Sequence, residues 1–127
     1  MHRLLLPLAL LLASPAAAQD WRMAPEFDVL LTTYDIQPGE IRLKAGEPVR
    51  LRFVNTTNQR LTFEAGGFFR DSRLRRRDSN LVRGGSLDVP ALSTRTIVLV
   101  PRAGRYKATG ANLLHRLLGM SGRIIVE

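Results

Sequence analysis

Residues 36–55 read IQPGEIRLKAGEPVRLRFVN. Val49, Leu51 and Phe53 alternate with Arg50 and Arg52, the period-2 pattern of a strand with one face in a core and one in water. Just before it, Glu40–Lys44 alternates in the same way, with Ile41 and Leu43 on one face. Pro38-Gly39 and Ala45-Gly46-Glu47-Pro48 are turn signals on either side of that shorter strand. Twenty residues therefore hold two strands and two turns, and no helical period.

The same rhythm extends outward. Phe27–Thr33 is rich in apolar and β-branched residues, and Leu61 and Phe63 alternate with Arg60, Thr62 and Glu64 after a polar turn at Asn55–Asn58. Strands are predicted again at Ser86–Val89, Thr94–Val100, Arg105–Thr109 and Arg123–Glu127. About eight short strands separated by turns predict an all-β sandwich. Residues 66–85 interrupt the rhythm between two glycine pairs, Gly66-Gly67 and Gly84-Gly85, and read as a long connection with room for a short helix.

The N-terminus has another character. Arg3 precedes an apolar run, Leu4–Leu12, broken only by Pro7, and Ala16-Ala17-Ala18 supplies small residues. This is the pattern of a secretory signal peptide over residues 1–18, with processing after Ala18 and an uncleaved anchor as the competing reading. Leu4–Leu12 is too short to span a bilayer, so the chain is not expected to be transmembrane. The expected product is one exported, periplasmic domain over residues 19–127. Without Arg3 it carries 18 basic against 11 acidic residues. Export argues against nucleic acid as the partner of that charge and for anionic lipid, envelope polysaccharide or an acidic protein. The chain has no cysteine, which excludes disulfides, thiolate catalysis and sulfur-anion metal sites.

Much of the charge lies in the long connection: Arg70, Arg73, Arg75, Arg76, Arg77 and Arg83, diluted by Asp71 and Asp78. The cluster reads either as a docking surface for an anionic partner or lipid, weakened by salt, or as a solvated loop.

With these pieces in order, the chain resembles the cupredoxins, the family of plastocyanin and azurin. It especially resembles bacterial exported cupredoxin-like domains, including the type associated with iron-uptake lipoproteins. The resemblance is carried by Ile36–Ile41, by Lys44–Leu51, by Asn55 at a strand end, by Val98–Tyr106, and by Gly119–Val126. It implies a Greek-key β-sandwich and, residue by residue, a copper ligand set. The first histidine position falls on Leu61, two before Phe63. The cysteine position, four after Tyr106 and five before His115, falls on Gly110. The second histidine position falls on His115 and the axial methionine position on Met120.

A blue-copper site uses two imidazoles, a thiolate and a weak axial thioether. Leu61 and Gly110 supply no donor, so a blue-copper electron carrier is not expected, and no cofactor is. His115 and Met120, with Met23 as a further soft thioether, are the candidates for a reduced Cu(I) site; otherwise His115 is a retained loop residue and Met120 a packing residue. Leu113, Leu114, Leu117 and Leu118 surround His115 and form either a protein-docking patch, as the resemblance implies, or a buried cap. No Ser-His-acid set or paired carboxylates support an enzyme. The expectation is a non-enzymatic exported binding module, with a copper-handling protein as the alternative.

Overall fold

The computed structural model describes residues 21–110 and 121–127. After a 3-10 turn at Trp21–Met23 come β1 (Glu26–Leu31), β2 (Ile36–Gln37), β3 (Glu40–Leu43), β4 (Val49–Asn55) and β5 (Leu61–Glu64). The long connection contains α1 (Gly66–Asp71), β6 (Arg73–Leu74), a 3-10 turn (Arg76–Leu81) and β7 (Val82–Arg83). Then follow β8 (Ser86–Val89), β9 (Thr94–Val100), β10 (Gly104–Gly110) and β11 (Ser121–Val126).

One sheet has the order β2-β1-β4-β9-β6 and the other β3-β11-β10-β5-β8-β7. All eight predicted strands are present, with ends shifted by one or two residues. The three others are two-residue strands without a readable period. The connection is less of a loop than its sequence implies. It lends β6 to the edge of one sheet, where Leu74 pairs with Leu99, and β7 to the edge of the other, where Arg83 pairs with Ser86. Between β7 and β8, Gly84 and Gly85 have φ of 58° and 80°, the pair of positive φ values that a two-residue type I′ hairpin requires.

Alternation places the core. Val49, Leu51 and Phe53 of β4 point inward with Asn55, and Leu61 and Phe63 of β5 face them from the other sheet. Phe53 and Phe63 meet across the sandwich with ring centroids 4.7 Å apart. Phe63 contacts Phe69 of α1 at 6.0 Å, Phe69 contacts Phe68 at 5.5 Å, and Phe68 meets Tyr106 of β10 edge-on at 5.6 Å. This chain of rings joins both sheets to the helix. Each aromatic pair adds about 1 kcal/mol beyond its buried area.

Candidate functional site

Two positions 49 residues apart in sequence converge at one end of the sandwich. Gly110, at the end of β10, lies directly opposite Phe63 of β5. Directly opposed residues of an antiparallel pair share a sheet face, so a side chain at 110 would enter the face that holds Phe63. Leu61 is two residues along on that same face, a diagonal neighbour of Gly110, and is 1 % exposed. The resemblance therefore points to two residues that share a sheet face. One is a buried hydrocarbon and the other has no side chain.

Asn55 organises this end. It is 2 % exposed, and its side-chain amide donates to the carbonyls of Gln59 (2.8 Å), Val89 (3.0 Å) and Pro90 (3.1 Å). Its side-chain oxygen accepts from the Thr57 N–H (2.9 Å) and hydroxyl (2.8 Å). Its own N–H reaches the Ser93 carbonyl at 2.9 Å. One neutral side chain thus ties the turn before β5 to the turn after β8 and leaves none of its polar atoms unsatisfied.

Gly110 and Ser121 border residues 111–120, and Thr109 pairs with Ser121. His115, Met120, Leu113, Leu114, Leu117 and Leu118 lie outside the described residues. Met23 is described and is 77 % exposed. It belongs to the opposite end of the sandwich, because the neighbouring Trp21 and Pro25 carbonyls accept hydrogen bonds from Arg50, near the start of β4. From Arg50 to Asn55 is about 17 Å along an extended strand. That distance removes Met23 from any site built around Leu61 and Gly110. Among the described residues no three His, Cys, Asp or Glu side chains gather as a metal site.

The arginine connection divides in two. Arg75 and Asp78 form an ion pair at 2.9 Å, with side chains only 13 % and 6 % exposed. The same Asp78 oxygen accepts the Val98 N–H at 2.9 Å, and the Arg75 N–H donates to the Val98 carbonyl at 2.8 Å. Arg75 therefore pins the connection to β9 and is not part of an open surface. Arg70, Arg73, Arg76, Arg77 and Arg83 are exposed. Sequence reading missed the pin. Its one trace is an acid three residues after an arginine, a spacing too common to single out.

Tyr106 is a second anchor. Its hydroxyl is 3.2 Å from Asp71 Oδ2 and 3.0 Å from the Arg102 carbonyl, closing a turn at Gly104. A Cβ on Gly104, where φ is 157°, would lie 2.8 Å from that hydroxyl. Burial first, and then the Asp71 carboxylate, raise the Tyr106 phenol above its ordinary value.

The two sheets, their strand order and the aromatic core between them define a cupredoxin-like β-sandwich. Its solved neighbours include auracyanin B, with 17 % identity and a TM-score of 0.59 over 82 % of this chain and 89 % of that one. A dithionite-reduced auracyanin from Roseiflexus castenholzii has 15 % identity and a TM-score of 0.58 over 82 % and 97 %. A multi-copper oxidase from Pseudomonas Thermotolerans has 19 % identity and a TM-score of 0.59 over 80 % of this chain, which spans 29 % of the oxidase. No family model matches the sequence. No curated protein matches it either.

Proposed function

We propose that this chain is an exported, periplasmic cupredoxin-like protein that has given up the type 1 copper site and serves as a non-enzymatic binding module. Among cupredoxin-like domains it resembles bacterial exported ones, including the type associated with iron-uptake lipoproteins. The observation that carries the reading is the pairing of Gly110 with Phe63 beside the buried Leu61. At the end where a blue-copper protein needs an imidazole and a thiolate, this chain places hydrocarbon and a bare backbone. The residues present do not fit a type 1 copper ion, and the chain has no cysteine elsewhere to replace the thiolate.

Copper titration tests the reading. Adding Cu(II) is expected to give no intense visible band, and Cu(I) affinity in a competitive titration is expected to be unchanged by His115→Ala and by Met120→Leu. An intense blue band would overturn the loss of the site. Tight Cu(I) binding abolished in both variants would instead make the protein a copper handler.

A further inference from the structure

β6 ends one sheet and β7 ends the other, so residues 66–85 run along one open side of the sandwich. Both carboxylates of this segment are engaged within the fold. Asp78 holds Arg75 and the Val98 N–H, while Asp71 holds the Tyr106 hydroxyl and lies 3.6 Å from Arg70. Arg73, Arg76, Arg77 and Arg83 are exposed, and among the described residues none forms an ion pair. The Arg83 side chain donates to the Asn80 carbonyl, at 3.4 Å.

A cleft of about 220 Å³ opens in the same segment, lined by Phe69, Leu74 and Val82 together with Arg70 and Ser79. Four uncompensated guanidiniums within eleven residues repel one another, and the cleft in the same segment leaves hydrocarbon open to water. Among the described residues the four arginines form no ion pair within the fold, and Leu74 and Val82, although packed against the core, stay partly open in the cleft. Together they complement an acidic headgroup that carries an alkyl chain. Guanidinium forks match phosphate oxygens in pairs, and the cleft offers cover for methylenes.

We propose that this side of the sandwich docks on a membrane surface of anionic phospholipid. Arg73, Arg76, Arg77 and Arg83 contact the phosphates, and the cleft at Leu74 and Val82 takes apolar headgroup-region or acyl carbon. An extended acidic peptide is the weaker fit, because β6 and β7 have two residues each and give little edge for an added strand. The inference rests on the reading of the chain as a binding module, but not on its copper chemistry. Vesicle binding and copper titration can fail separately.

Cosedimentation of the full chain with phosphatidylcholine vesicles, with and without phosphatidylglycerol and at low and high salt, tests the proposal. Residues 4–12 are common to all variants, so differences between variants report this side of the sandwich. Wild-type protein is expected to partition onto the phosphatidylglycerol vesicles and to come off as salt rises. Each Arg→Gln change at 73, 76, 77 and 83 should weaken partitioning about fivefold, and all four together about a hundredfold or more. Val82→Gln should weaken it several-fold while the salt dependence stays. Equal partitioning onto both vesicle types, or a fourfold variant that binds like wild type, would overturn the proposal. So would soluble polyglutamate that competes as well as vesicles do and is bound equally by Val82→Gln, which would assign the arginines to an acidic protein.

Discussion

The end of the sandwich at Asn55 and the side at Asp78 solve one problem with opposite chemistry. Each holds an irregular segment against a sheet through a single buried polar residue. Asn55 does so with neutral hydrogen bonds to three carbonyls and one residue's N–H and hydroxyl, in a region where Leu61 and Gly110 contribute no charge. Asp78 does so as an ion, buried with Arg75 and bonded to Val98. The neutral anchor loses part of its bonding when truncated, whereas the ionic anchor leaves its partner charge stranded out of water. The buried anchor at the Asn55 end is thus neutral, and the one along the side is an ion pair.

The largest effect should come from breaking the ionic anchor. Asp78→Ala is expected to cost about 3–5 kcal/mol, read by denaturant unfolding, because it strands Arg75 and the Val98 N–H. Asn55→Ala should cost less, about 2–3 kcal/mol, since it frees neutral carbonyls, two of them only partly buried, and strands no charge. If Asn55→Ala proves the costlier change, the contrast between the two anchors collapses. Gly85→Ala sharpens it by loosening the side alone. The added Cβ would lie 2.5 Å from the Gly66 Cα at a φ of 80°, so a loss of about 2 kcal/mol is expected, with the hydrogen bonds of Asn55 untouched.

Tyr106→Phe is the mildest test, at about 1 kcal/mol near neutral pH. Its pH dependence has a definite sign. The folded protein holds the phenolic proton more tightly than the unfolded chain, for which the value is 10.0. The stabilisation is therefore complete below that pH and is lost as pH rises through the raised folded value. Wild type should lose stability more steeply than Tyr106→Phe in alkaline titrations of thermal unfolding. Parallel curves would show that folding does not shift the phenol's titration.

Legibility in the sequence followed the range of the interactions. Val49–Phe53 and Leu61–Phe63 announce their inward faces because alternation is local, and both strands lie where that pattern puts them. The glycine pairs around residues 66–85 were visible as punctuation, but their jobs were not. Gly84-Gly85 makes a hairpin, and Gly85 also packs its Cα against Gly66. β6 and β7 were unreadable because two residues cannot show a period. In sequence the arginine run forms one group, whereas burial removes Arg75 from it and leaves Arg70, Arg73, Arg76, Arg77 and Arg83 exposed. The side-chain positions at 61 and 110 were legible through resemblance, and the residues at them through simple reading.

By itself the sequence determined the all-β class, the faces of the long strands, the absence of any thiolate, and the side chains available at each position. Those are properties of composition and of near neighbours along the chain. Only the tertiary structure decided that Leu61 and Gly110 share one sheet face, that Met23 belongs to the far end, and that Asp78 neutralises Arg75 while its neighbours stay exposed. Each of these depends on strand register and on burial. Both are set by contacts between residues tens of positions apart, which a local pattern cannot encode.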